Sequence, residues 1–479
     1  MRTSNFLFKT LTPSRLHNFL LCLSLLFIAY LLLSSNPQPS SSHQAPIVHH
    51  PRASLSSSSS SSSPTSRRHL LFAIGSSSGS FAARLPYLRL WHSPNSTRAF
   101  AFLDGLPSSS DDDSDGLLPP TVISQDTSAF PYSFKSGFRS AIRLARVAKE
   151  IVDFAEADVR WFVFGDDDTV FFVDNLVKVL SKYDHTRWYY IGSNSESYFQ
   201  NSKNSFEMAF GGGGFAISSS LAAALAKVLD SCLFRYSHLY GSDSRIFSCV
   251  AELGVGMTHE PGFHQVDMRG NLFGLLTAHP LSPMVSLHHL DKVDPIFPNM
   301  NRSESMEHLF KAVKVDPLRI LQQCVCYDRS NSLTVSVSWG YAVQVFEGNE
   351  LLPDLLSLQR TFTPWRRGMN TDLSRYMYTL RDYPRDVCKR PVTFFLESIL
   401  SDNLGVRTTY SRQNPDNCAR GKSVKNLKKI TVFSRKLELD TEQMKAPRRQ
   451  CCDILPIING SMVIHIRECG PTELIAMHP

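Results

Sequence analysis

The sequence predicts an α/β fold with a smaller β-rich C-terminal extension, and three features predict it. Leu70–Ile74 (LLFAI), helix-spaced Phe81–Trp91 and Arg98–Leu103 (RAFAFL) read as strand, helix and strand. Val159–Phe164 (VRWFVF) is bulky and nearly all apolar, as a central strand of a mainly parallel sheet covered on both faces must be. After about residue 300 the pattern becomes alternation, in Thr334–Phe346, Lys429–Leu439 and Met462–Cys469.

The elements follow in chain order. Phe19–Leu33 (FLLCLSLLFIAYLLL) is free of charge; Arg2, Lys9 and Arg15 precede it and no Lys or Arg follows until Arg52. That asymmetry predicts a single-span signal anchor over 19–35 with residues 1–18 in the cytosol. A cleaved secretory signal is the competing reading, disfavoured because the core is long for one and no A-x-A site is visible. Residues 36–67, rich in Ser and Pro, read as an extended stem. Phe138, Ile142, Ala145, Ala148, Val152 and Ala155 recur at helical spacing, with Arg139, Arg143, Arg146, Lys149 and Asp153 assigned to the other faces. Leu221–Leu229, capped by Ser220, and Ser242–Leu253 read as two more helices. Ser108–Asp115, with its Asp triplet, reads as a solvated loop.

Hydrophobic residues at 42% and aromatics at 11% exclude a disordered or fibrous chain. The absence of a second long apolar stretch excludes a multi-span membrane protein. A net charge of +7 spread over 50 basic and 43 acidic residues is no nucleic-acid footprint. Nine cysteines lie beyond the span, so in an oxidising compartment at least one is left unpaired; no C-x-x-C pair suggests structural zinc. Sequons at Asn95, Asn301 and Asn459 suit a luminal setting.

The chemistry concentrates after the central strand. In Gly165-Asp166-Asp167-Asp168-Thr169, an extended chain would turn Asp166 and Asp168 to one side and Asp167 to the other. Two carboxylates at the carboxyl end of a strand suit a hard cation such as Mn²⁺ or Mg²⁺; the alternative is an Asx-turn before a helix capped by Asp174 or Asn175. Gly211–Gly214 fits either a substrate-facing loop or a tight turn, and matches neither the P-loop nor G-x-G-x-x-G. Asp243, at a helix start, is either a cap or a general base. His259, His264, His279, His288 and His289 form a Gly/Pro-interrupted group in which ligation is one reading.

Gly165–Thr169, Gly211-Gly212-Gly213-Gly214-Phe215-Ala216-Ile217-Ser218, Leu239–Asp243 and Ser286-Leu287-His288-His289-Leu290-Asp291 together resemble the plant fringe-related family, a branch of the fringe-like β-1,3-glycosyltransferases (glycosyltransferase family 31). The resemblance runs from Arg68 to about Trp339-Gly340-Tyr341 and thins beyond residue 400. It implies a GT-A nucleotide-sugar-binding domain over 68–320, a β-rich extension over 321–479, and a type II protein of the Golgi membrane with its catalytic domain luminal. It further implies that Asp166 and Asp168 hold Mn²⁺, that Asp166, Asp167, Gly212 and Gly213 contact the UDP-sugar donor, and that Asp243 is the base. Asp243 matches the second Asp of the fringe Asp-Asp pair, whose first position is Ser242 here. His289, followed by Leu290-Asp291, resembles the histidine that completes the metal shell, with His288 and His264 as alternatives. The implied reaction is inverting transfer to a glycan or glycoprotein hydroxyl. A catalytically silent sugar-binding or scaffolding protein and a nucleotide-diphosphate hydrolase are the competing readings.

Overall fold

The computed structural model describes residues 13–34, 63–106, 116–366, 368, 375–403, 405–413 and 417–478. Most of the stem and the Asp triplet of residues 108–115 lie outside the described residues. The chain forms two units, Met1–Ser62 and Ser63–Pro479. In the first, a helix α1 spans Pro13–Ser34. Its side chains are described for 21–31, all exposed. No helix among the described residues is long and apolar enough to cross a membrane, so the single-span anchor expected over 19–35 finds no support there.

The second unit opens on a seven-stranded sheet. Its strands are β1 (Leu70–Gly75), β2 (Arg98–Leu103), β3 (Thr121–Ile123) and β4 (Trp161–Asp166), followed, after a short β5 (Val170–Phe171) outside the sheet, by β6 (Tyr190–Gly192), β7 (Phe215–Ser218) and β8 (Met257–His259). The order is β3-β2-β1-β4-β7-β6-β8. β1, β2, β3 and β4 are mutually parallel, as are β6 and β8; β7 alone runs antiparallel to its neighbours. The sheet is mainly parallel as expected, and β4 is central, with a parallel partner on one side and an antiparallel one on the other.

Helices α2 (Phe81–Trp91) and α3 (Ser140–Glu150) follow the early strands. α3 starts two residues later than the periodicity suggests, so Phe138 falls outside it and is 74% exposed. Two of its arginines are buried rather than solvated. Arg143 donates to the carbonyls of Phe102 (3.1 Å) and Ser76 (2.5 Å), and Arg146 pairs with Glu150 and Asp230. Carbonyls at the strand ends offset the burial of the Arg143 guanidinium through its two terminal nitrogens, while its Nε has no partner. Next come α4 (Val173–Leu180), α5 (Tyr198–Lys203), α6 (Ser219–Arg235) and α7 (Ser242–Glu252). α6 begins at Ser219 with Ser218 in the cap position, two residues earlier than Ser220.

Two short ribbons position the site. β9 (Met268–Gly270) pairs with Phe362–Pro364, and β10 (Ser286–Leu287) pairs antiparallel with β5. Beyond residue 320 an eight-stranded sheet runs in the order Gln323–Asp328, Leu333–Ser338, Ala342–Glu347, Val392–Asp402, Gly405–Arg412, Lys429–Ser434, Ser461–Arg467, Cys451–Ile458. The stretch Thr334–Phe346 is two strands, broken at Gly340 (φ +77°). The first and last strands of the order lie against one another and are joined by the Cys326–Cys452 disulfide. Cys232–Cys249, Cys388–Cys418 and Cys451–Cys469 are the other bridges, and Cys324 is the unpaired cysteine beyond the span. One core cluster runs from Leu70 in β1 to Ile466 in the second sheet.

Candidate functional site

β4 ends at Asp166, and the chain then turns instead of staying extended. The Thr169 N–H donates to the Asp166 carbonyl (3.0 Å) while the Thr169 hydroxyl accepts from the Asp166 N–H (2.8 Å). The turn still separates the three carboxylates as alternation suggests. Asp167 faces the β1–α2 loop, where it accepts from Ser76 Oγ (2.6 Å) and Ser80 Oγ (3.0 Å) and lies 3.7 Å from Arg84 Nε. Asp166 and Asp168 face the other way, toward His288.

The β5–β10 ribbon explains that meeting. Leu287 stands opposite Val170, so the next residue, His288, emerges beside the aspartate turn. His288 Nε2 lies 2.9 Å from Asp168 Oδ1 and 3.6 Å from Asp166 Oδ2, and the ligand atoms of the three residues all lie within 4.8 Å of one another. Its Nδ1 lies 3.2 Å from the Gln265 carbonyl, to which an Nδ1–H donates, so Nε2 is the nitrogen that faces the carboxylates.

The histidine at this cluster is therefore His288 and not His289. His289 adopts a left-handed φ of 54°, which turns its ring to stack on Trp365 (centroids 4.1 Å) with Nδ1 3.4 Å from Asp267 Oδ1. His264 is farther inside, with Nδ1 3.1 Å from Glu196 Oε1 and Nε2 2.8 Å from His279 Nε2. Asp291 closes the His288–Asp291 segment onto α2, bonding Arg84 and the Tyr87 hydroxyl. Arg84 also lies 3.4 Å from Asp168 Oδ2. Asp174 and Asn175 do not cap α4: Asp174 pairs with Arg67, and Asn175 donates to the Met284 and Pro317 carbonyls.

The electrostatics follow from crowding. Burial pushes Asp166 up to about 7; His288 opposes this, and Asp168, Asp243 and Asp167 add to it. Burial also works to raise Asp168, yet the His288 hydrogen bond and charge, with Arg84 and His289, hold it well below the usual carboxylate range. Burial works to lower His288, but Asp168 foremost, then Asp166 and Asp267, raise it to about 9. Burial lowers His289, and the neighbouring His288 adds to that.

The four glycines pack against these side chains. A Cβ on Gly211 would sit 2.6 Å from Asp243 Oδ1, and one on Gly212 would sit 2.1 Å from the His288 ring. The Gly212 carbonyl accepts from the Thr169 hydroxyl (2.8 Å), and the Gly213 N–H donates to Gln265 Oε1 (2.6 Å). Gly213 O accepts from Ser286 Oγ. These groups are committed within the protein: Gly211 and Gly212 let the Asp243 and His288 side chains close in, and Gly213 admits the His264–Gln265 backbone. Asp243 is set by the first turn of α7, where Ser242 Oγ donates to its Oδ1 (2.9 Å). Burial raises its pKa, against the opposing Gly211 N–H and Ser242 hydroxyl.

Asp166, Asp243, Gly212, His288 and His289 line one cleft of about 660 Å³, together with Phe134, Phe138, Tyr240, Lys203, Trp365 and Arg366. Arg84, Gln265, Trp365 and Arg366 carried no signal in the sequence. Trp365 and Arg366 arrive only because Phe362–Pro364 pairs with β9, and Arg84 is a lone basic residue on a helix whose partners are far along the chain.

Residues 200–452 match the family described as "Protein of unknown function, DUF604", and the chain belongs to that family. The β-1,3-N-acetylglucosaminyltransferase lunatic fringe of Xenopus laevis is 34% identical over 146 residues, which is 28% of this chain and 36% of that protein. A β-1,3-glucosyltransferase of Mus musculus is 29% identical over 120 residues, 25% of this chain and 23% of that protein. The chain thus spans less than half the length of the curated relatives it matches. The resemblance to fringe-like β-1,3-glycosyltransferases is borne out; these relatives are vertebrate, and the plant branch stays an expectation. A solved mannosyltransferase from Pyrobaculum calidifontis in complex with GDP-Man and Mn²⁺ aligns with 41% of this chain and 55% of its own at 12% identity, with a TM-score of 0.28, a level at which likeness says nothing of function.

Proposed function

We propose that this chain is a metal-dependent inverting glycosyltransferase on a GT-A-like fold. It moves a sugar from a UDP-sugar to a hydroxyl of a glycan or glycoconjugate, forming a β-1,3 linkage. The observation that carries the reading is the Asp166–Asp168–His288 cluster, of which Asp166 and His288 line the same cleft as Asp243. The names of the curated relatives, both β-1,3-transferases, support it.

Two carboxylates and an imidazole with its Nδ1 already occupied are a donor set that fits Mn²⁺, with Mg²⁺ as the harder alternative. Bound by Asp166, Asp168 and His288, the ion would supply positive charge to the diphosphate of the departing nucleotide. The chain's own residues do the rest. Arg84 offsets part of the charge of Asp167 and Asp168, so that three adjacent carboxylates can share one turn. Asp243, its pKa raised by burial, would take the proton from the acceptor hydroxyl as that oxygen attacks the anomeric carbon. One base and one displacement invert the anomeric centre.

The setting belongs to the same proposal. The apolar run within α1 would act as a type II anchor in the Golgi membrane with the remainder luminal, supported by the basic residues before it and by four disulfides that suit an oxidising lumen.

The test is UDP release by the full-length chain in detergent, with MnCl₂ and a panel of UDP-sugars. Asp168→Asn is expected to lower metal-dependent turnover by about a thousand-fold while the circular dichroism spectrum is unchanged. Full activity in that variant would sink the metal assignment. Turnover that needs no acceptor would favour a hydrolase, and glycan binding without affinity for UDP and Mn²⁺ would favour a silent sugar-binding protein.

A further inference from the structure

One wall of the cleft is aromatic, exposed and held rigid, and nothing in the metal or base chemistry uses it. Phe138 is 74% exposed and Tyr240 46% exposed, both lining the cleft with Phe134. Large rings left open to water at a concave site mark a surface that waits for a partner. Here the Phe134 and Tyr240 rings are also fixed in advance. The Tyr132 hydroxyl donates to the Tyr240 carbonyl (3.0 Å), Ser133 N–H donates to the Ser237 carbonyl (3.1 Å), and the Phe134 and Tyr240 rings meet edge to face at 5.3 Å. Between them the backbone turns through Ser136 at φ 61°, and a Cβ on Gly137 would sit 1.9 Å from the Tyr132 hydroxyl oxygen. The buried Arg245 clamps the other side, donating to the carbonyls of Leu239 (2.7 Å) and Gly241 (2.8 Å) beneath the Tyr132 ring.

We propose that Phe134, Phe138 and Tyr240 are the acceptor subsite, taking the apolar face of a pyranose ring, with Arg245 as the residue that positions it. This rests on the glycosyltransferase reading of the cleft. The base fixes which wall is which: Tyr240 precedes Asp243 by three residues on the loop that opens α7, so a ring lying on Tyr240 has its hydroxyls beside the carboxylate that must deprotonate one of them. The opposite side of the cleft, with Asp166 and His288, is left to the donor. A pyranose carries several C–H bonds on one face, and that face packs on an aromatic ring by dispersion and by attraction to the ring's negative face, while its hydroxyls keep polar neighbours. The cleft supplies both, since Lys203 lies 5.7 Å from the Tyr240 ring centroid and Asp243 borders the same wall.

The experiment measures KM for donor and acceptor separately with the full-length chain, using UDP-glucose, UDP-galactose and UDP-N-acetylglucosamine against the methyl glycosides of galactose, glucose, N-acetylglucosamine and fucose. Phe138→Ala and Tyr240→Ala are expected to raise the acceptor KM about ten-fold without raising the donor KM, and Phe138→Tyr to restore it. Phe433→Ala, at an exposed ring on the second sheet, is the control and changes neither constant. Unchanged acceptor KM in both alanine variants overturns the subsite alone. So does a wild-type chain that turns over a UDP-sugar but transfers to none of the four glycosides. A wild-type chain without any UDP-sugar turnover overturns the reading of the cleft, and the subsite with it.

Discussion

In the cleft, Asp166 and Asp168 share one imidazole, His288, and the Asp166 side chain is 44% exposed. In the interior, one carboxylate, Glu196, is followed by two imidazoles, His264 and His279, with the Glu196 and His264 side chains each 2% exposed. The parts are alike and their arrangement is opposite. Glu196 faces His264 Nδ1 and His264 Nε2 faces His279 Nε2, so these groups pair with one another; Glu196 also receives the Asp267 N–H (3.4 Å). Burial keeps His279 well below its ordinary value, and so neutral. The outer cluster has more carboxylate than cation and one open face, which is the condition for holding a divalent ion. Composition alone makes both clusters candidates; burial of the inner one and the open face of the outer one separate them.

The contrast can be broken by substitution, beginning where the effect should be greatest. Asp243→Asn is expected to lower kcat about a thousand-fold and leave Mn²⁺ affinity unchanged by calorimetry, because it removes the base and no ligand. His288→Ala should weaken Mn²⁺ binding about a hundred-fold, against less than about ten-fold for His289→Ala; the reverse order would return the third ligand position to His289. The smallest effect belongs to the closed cluster. His264→Ala should cost about 1 to 3 kcal/mol, read as a melting temperature lower by a few degrees, with Mn²⁺ affinity unmoved. Loss of metal binding in that variant would mean that the two clusters act as one.

Much of the α/β half was legible because its signals are local. VRWFVF can be covered on both faces only inside a sheet, and three aspartates at its end have few places to go. Asp166, Asp168 and Asp243 lie where short-range pattern puts them. The choice between His288 and His289 was not legible, since adjacent residues differ only by which way the backbone turns, and the left-handed φ of His289 goes with a stacking partner, Trp365, far along the chain. Phe138 misled for a related reason: it extends the helical period by one step, yet the helix starts at Ser140 and the ring goes to the cleft. Arg84, Trp365 and Arg366 depend on pairings across long stretches of chain, which periodicity within a window cannot see.

The curled second sheet has a practical consequence for anyone shortening this chain. Its two edge strands, Gln323–Asp328 and Cys451–Ile458, cover each other and are stitched by Cys326–Cys452. Exposed strand edges are templates for pairing with other molecules. A chain that stops before Cys451 would therefore uncover the Gln323–Asp328 edge, strand Cys326 as a free thiol and invite edge-to-edge aggregation, even though every residue of the cleft would still be present.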